Sequence, residues 1–152
     1  MNAPVVEKLV LAGPAGALEA VVEVPAGVDS PAAFMVACHP HPLHAGTMNN
    51  KVVTTLARTA HALGVPTIRF NFRGVGASAG SFDSGRGEVD DALAAVAAGR
   101  QRWPGAQLWL AGFSFGGIIA LRVSRHAAAG RVAKLVTVAP ALGRDFSDPR
   151  DI

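Results

Sequence analysis

The residues best suited to chemistry lie at 112–116, Gly-Phe-Ser-Phe-Gly, directly after the apolar run Leu108-Trp109-Leu110. G-x-S-x-G at the junction of a strand and a helix makes a sharp, strained turn that lifts the serine hydroxyl clear of a sheet. Gly112 and Gly116 would permit the close backbone approach that such a turn requires. Ser114 is thus a candidate nucleophile. Phe115 would present its backbone N–H at a helix N-terminus, where developing negative charge is stabilised. The competing explanation is a chance match in a chain with 17 glycines. A strand pattern before the motif and a helix pattern after it weigh against chance.

A second stretch, His39-Pro40-His41-Pro42-Leu43-His44, follows another apolar run. An oxyanion hole needs a second N–H beside the nucleophile, from the loop after a neighbouring strand. Pro40 and Pro42 carry no N–H and stiffen the loop. His41 and Leu43 remain as candidate donors, with His41 favoured. His39 and Leu43 are expected to contact substrate. A rigid turn with solvated histidines is the plainer alternative. His39, His41 and His44 also form H-x-H-x-x-H, and alternate residues of a strand share a face. Prolines interrupt that spacing and no acid lies within it, so no metal is expected.

Arg73-Gly74-Val75-Gly76-Ala77-Ser78-Ala79 nominally matches G-x-G-x-x-[GA] after a strand. A dinucleotide site needs those glycines to open a helix directly, and an acid at a strand end about 20 residues on. Here glycine-rich chain follows, and Asp90 and Asp91 fall in a helical pattern. A structured loop beside the site fits better, and no cofactor is expected.

The chain has 152 residues, net charge +3 and one cysteine, Cys38. Its basic residues are scattered and form no stripe, which argues against nucleic acid as a partner. Its apolar runs fall short of the about 18 residues of a membrane span. The N-terminus shows no signal-peptide pattern, and the single cysteine fits a reducing compartment, so a cytoplasmic location is expected.

The elements that must position these residues follow from periodicity. Val5–Leu11 and Leu18–Val24 read as a hairpin. Ala32–Cys38, Pro66–Phe72, Gln107–Phe113 and Lys134–Ala139 read as strands. Thr47 to Leu63 carries a helical stripe of Val53, Leu56, Ala57, Ala60 and Leu63, with Thr47, Asn49 and Asn50 as capping chemistry. Glu88–Arg102 reads as a helix with acids in its first turn and arginines in its last. Phe115–Ala127 is the third helix. Continuous apolar strands separated by helices predict a parallel sheet covered on both faces. In such sheets ligands bind at the carboxyl ends of the strands. The stretches 39–47, 73–80 and 112–117 all fall there.

Together, VACHPHPLHAGTMNNKVV, RFNFRGVGASAGSFDSGRGEVDDALAA and LAGFSFGGIIA resemble the α/β-hydrolase superfamily. More narrowly they resemble the small bacterial group related to dienelactone hydrolases. The resemblance runs from about Val36 to Pro140. It implies an α/β fold of three layers, a mostly parallel sheet between helices, with little or no lid over a serine nucleophile at Ser114. It also implies hydrolysis of esters or related acyl bonds. Arg73 to Ser78 matches a loop taken as mainly structural. Ala45 departs from the pattern, since similar sequences have a second glycine there.

In that superfamily the acid and then the histidine follow the serine. Asp145, Asp148 and Asp151 follow Ser114, but no histidine follows them. His126 would lie about 18 Å from Ser114 along a helix axis, too far for a base that must come within roughly 3 Å. The single domain, residues 1–152, is therefore expected to be a truncated or C-terminally altered form lacking the last strands. LVTV (135–138) would then be a bare apolar edge, a pairing hazard, covered in a stable protein by another chain, as in a strand-paired homodimer. The leading expectation is a serine hydrolase acting on a small ester or lactone. Esterase, thioesterase, lactonase and peptidase activities follow in falling order. The runner-up is a catalytically inactive module that binds or pairs, and a metal-dependent hydrolase comes third.

Overall fold

The apolar runs become a six-stranded sheet in the order β1-β2-β4-β3-β5-β6. The structure, a computed structural model, describes residues 3–142. β1 (Val5–Gly13) and β2 (Gly16–Val24) form the expected hairpin, paired from Val5 with Val24 to Gly13 with Gly16. β2 pairs antiparallel with β4 (Thr67–Phe70). From β4 onward the sheet is parallel, through β3 (Ala33–Cys38), β5 (Gln107–Phe113) and β6 (Val132–Val138).

All six residues of β3 are buried, because helices cover both of its faces. Side chains of a strand alternate between faces. Phe34, Val36 and Cys38 pack with Ala92, Ala95 and Val96 of α2 (Arg86–Arg102) and with Ile119 and Val123 of α3 (Phe115–Ser124). Ala33, Met35 and Ala37 pack with Val53 and Ala60 of α1 (Lys51–Ala62). The result is three layers, as the strand and helix patterns predicted.

Several expected bounds shift: α2 starts at Arg86, not Glu88, β4 spans Thr67–Phe70, not Pro66–Phe72, and β6 spans Val132–Val138, not Lys134–Ala139. α1 begins at Lys51, not Thr47, because the Asn50 side chain accepts from the Val52 and Val53 N–H groups and caps the helix there. Leu63 leaves the apolar stripe: it caps the C-terminus of α1 and is 65% exposed. α3 stops at Ser124. His126 is extended (φ −87°, ψ 132°), and its Nδ1 accepts from the Ala128 N–H, a local bond that competes with continuing the helix.

β6 is the last strand of the described sheet and pairs only with β5 there. Its Leu135 and Val136 are exposed. Among the described residues no helix is long and apolar enough to cross a membrane.

Candidate active site

Because β3, β4, β5 and β6 are parallel, the chain leaves all four at one edge of the sheet. β5 ends at Phe113, and Ser114 follows as the N-cap of α3. Its backbone sits at φ 56°, ψ −116°, a left-handed conformation that a non-glycine residue adopts only under constraint. The constraint is visible. The Ser114 N–H donates to the Val138 carbonyl at 3.0 Å, and its carbonyl accepts from Gly117 at 2.9 Å and from Ala141 at 3.2 Å. The exit of β6 therefore grips the turn that carries the serine.

The two glycines are required by space. A Cβ on Gly112 would collide with the backbone of Gly116, and one on Gly116 with the carbonyls of Cys38 and His39. The start of α3 thus lies hard against the end of β3 and the histidine loop. Phe115 is the first residue of α3, so its N–H points out of the helix N-terminus beside Ser114.

The histidine loop is pinned from within. Pro42–His44 forms a short 3-10 turn, and the His41 carbonyl accepts from His44 and Gly46, both at 3.0 Å. The Leu43 N–H donates to His41 Nδ1 at 3.1 Å. The Leu43 N–H, one of the two candidate oxyanion donors, is therefore already engaged within the turn. The Leu43 side chain is 66% exposed beside the turn. Ala45 takes φ 62°, where glycine would be unstrained, so its departure from the common pattern costs strain. Burial and the charge of His44 together lower the His41 pKa.

His39, expected to contact substrate, is turned into the fold. It is fully buried; its Nε2 accepts from the Phe72 N–H at 3.0 Å, and its Nδ1–H donates to the Pro40 carbonyl at 2.6 Å. Burial holds its pKa down to about 4, so it stays neutral. It ties the end of β3 to the chain after β4. Nor can it join His41 and His44 around a metal, since both ring nitrogens are engaged. Among the described residues no group of three or more His, Cys, Asp or Glu side chains is placed to hold one. Cys38, whose thiol burial pushes up to about 12, offers no thiolate.

The 73–80 loop uses its polar groups internally. Ser78 Oγ donates to the Asn71 carbonyl at 2.7 Å and accepts from the Glu19 N–H at 2.9 Å. Glu19 also accepts from Asn71 Nδ2 and the Ala77 N–H. Asn71 Oδ1 accepts from the Met48 N–H at 2.8 Å, linking this loop to the one before α1. Arg73 pairs with the fully buried Asp91 at 2.8 Å and donates to the Gly87 carbonyl, which fixes the start of α2. Glu88, read as a dipole-compensating acid, is fully buried and accepts from the Asp83 and Gly85 N–H groups.

A feature absent from the sequence reading is an aromatic cluster. The His41 ring stacks on His44 at 4.3 Å and lies 5.0 Å from Phe82 and 5.2 Å from Phe115. Phe82 carries no local motif; only the fold of the 74–85 loop brings it here. His126 sits past the far end of α3 from Ser114. Asp145, Asp148 and Asp151 lie outside the described residues. Cavities of about 420 Å3 beside Trp103 and Arg131, and about 470 Å3 over the β1–β2 hairpin, include neither Ser114 nor the histidine loop.

Known proteins share this fold. Residues 29–150 match the family described as "Serine aminopeptidase, S33". An α/β serine hydrolase without a lid from Xanthomonas campestris superposes with a TM-score of 0.85 at 46% identity, covering 94% of this chain and 65% of that one. An α/β serine hydrolase homologue from Coxiella burnetii gives the same TM-score and identity over 92% of this chain and 65% of that one. An uncharacterized protein of Rickettsia prowazekii is 45% identical over 112 residues, 73% of this chain and 46% of that protein. The chain thus spans about two thirds of these solved relatives and under half of the Rickettsia relative. With a sheet, a strained serine turn and a matching family pattern in place, this chain belongs to the serine aminopeptidase family of α/β hydrolases.

Proposed function

We propose that Ser114 is the nucleophile of an acyl hydrolase, with the N–H groups of His41 and Phe115 as its oxyanion hole, acting on a small ester or lactone. The observation that carries this reading is the backbone of Ser114. A serine held at φ 56° with no side-chain capping bond is displayed at structural cost, and such cost is retained where geometry serves a function. In the proposed reaction the serine Oγ attacks the substrate's carbonyl carbon while a base removes its proton. The carbonyl oxygen becomes an oxyanion held by the two N–H groups, the alcohol leaves with a proton, and water then releases the acid.

An ester or lactone is favoured over a peptide bearing a free N-terminus. Among the described residues the site loops present histidines and aromatic rings, while Asp83 and Glu88 are turned into the start of α2. The serine's proton must go to a base, and neither His39, with both ring nitrogens engaged, nor His126, past the far end of α3, is placed to take it. The test is hydrolysis of p-nitrophenyl acetate by the natural protein purified from its own cells, against the same protein carrying Ser114→Ala. The variant is expected to lose at least 1,000-fold in kcat/KM, on the order of the loss seen when a triad member is removed. Undiminished turnover would remove Ser114 from the role.

A second reading, a module that pairs without turnover, is favoured by the exposed Leu135 and Val136 on β6. It has a second copy of the chain cover that edge by strand pairing. Light scattering at high concentration should then give a dimer; a monomer throughout counts against it.

A further inference from the structure

The rings beside Ser114 form a graded stack, buried at its base and open at its top. Phe72 and Phe115 are fully buried and meet edge to face at 5.5 Å. Above them His41 and Phe82 lie 5.0 Å apart, each within 6 Å of the Phe115 ring. His44 stacks on His41 at 19° and is exposed, while His41 and Phe82 are half-buried. Phe115 directly follows Ser114, so the ring cluster lies at the same strand-exit edge of the sheet as the serine turn.

Both arms that carry the rings are stiff. His41 and His44 ride on the 3-10 turn closed by the two bonds to the His41 carbonyl. Phe82 precedes Asp83, whose N–H donates to Glu88 at 2.8 Å and whose Oδ2 accepts from the Gly87 N–H at 2.9 Å. A preset aromatic surface binds a flat ring without first being ordered, whereas a flexible alkyl chain loses rotamer freedom on binding.

We propose that His41, His44 and Phe82 wall a subsite for a flat aromatic group of the substrate, making aryl-bearing esters the favoured class. This rests on Ser114 as the reacting residue for its place in catalysis, but not for the binding itself. Two ring contacts of ordinary strength correspond to about a tenfold preference for a planar ring over a saturated one of equal size.

The test separates the wall from the chemistry. In the full natural protein carrying Ser114→Ala, NMR titration compares N-benzylacetamide with N-(cyclohexylmethyl)acetamide, two amides that differ in ring planarity. The benzyl amide is expected to bind about tenfold more tightly, shifting the ring signals of His44 and Phe82 most. Adding Phe82→Leu should reduce that preference to about twofold or less, with the amide spectrum showing the fold intact. Equal affinities, a preference that survives Phe82→Leu, shifts centred on other residues, or no saturable binding of either amide would each overturn the proposal. Ester hydrolysis that depends on Ser114 but shows no aryl preference would sink the wall and leave the nucleophile. Aryl binding in a protein whose hydrolysis ignores Ser114 would do the reverse.

Discussion

His39 gives the sharpest quantitative prediction, because burial and both hydrogen bonds act on one ring. An ordinary histidine titrates near 6.5, and His39 is held down to about 4 by burial, partly offset by its bond to the Pro40 carbonyl. Between those values the unfolded chain takes a proton that the folded chain refuses. Stability from this group is therefore complete above pH 6.5 and falls as pH drops toward 4. At about 1.4 kcal/mol per pH unit, the loss by pH 4.5 is roughly 2.5 kcal/mol. His39→Leu removes the titration and also the acceptor of the buried Phe72 N–H, which costs about 1–3 kcal/mol. At pH 7 the variant should thus be about 2 kcal/mol less stable than the parent. At pH 4.5 that gap should close or change sign, because only the parent carries the acid penalty. His41, whose pKa is also lowered, adds an acid penalty common to both proteins and cancels in the comparison. Urea unfolding at the two pH values reads the gap directly. A gap that stays constant from pH 7 to pH 4.5 would refute the reasoning.

Other predictions rest on space, strain and charge. Gly116→Ala forces a methyl group against the Cys38 and His39 carbonyls; it should cost about 1–3 kcal/mol by thermal unfolding and on the order of 100-fold in kcat/KM through displacement of the serine turn. Ser114→Gly relieves a left-handed serine and should raise unfolding stability by about 1 kcal/mol while abolishing hydrolysis; a destabilised variant would show that the turn is not strained. Asp91→Ala leaves Arg73 without its buried partner and should cost about 3–5 kcal/mol by urea unfolding, whereas a loss within 1 kcal/mol would mean that water reaches the pair.

Much of the framework is legible in the chain. β5 falls on the residues read from its apolar run, because a strand buried on both faces leaves a continuous apolar signature. The three chemistry-bearing loops converge because parallel strands put their exits on one edge, a consequence of topology more than of any local residue. What was not legible depends on distant partners. His39 looks like His41 in sequence, and only the Phe72 N–H, arriving from β4, turns it inward as a structural residue. The Leu43 N–H donates to a ring nitrogen two residues back, a bond no local pattern announces. Phe82 sits in a glycine-rich loop with no motif, and its place beside His41 depends on the Glu88 bonds that fold the start of α2. The ends of α1 and α3 shifted because single side chains, Asn50 and His126, offered the backbone a competing bond.

The measurement closest to the central claim is covalent labelling of the natural protein, taken from its own cells, with a fluorophosphonate, followed by intact mass and peptide mapping. The reading of Ser114 as an activated nucleophile predicts one adduct, on the peptide spanning the serine turn, and none after Ser114→Ala. No adduct, or one that persists in the variant, would contradict it.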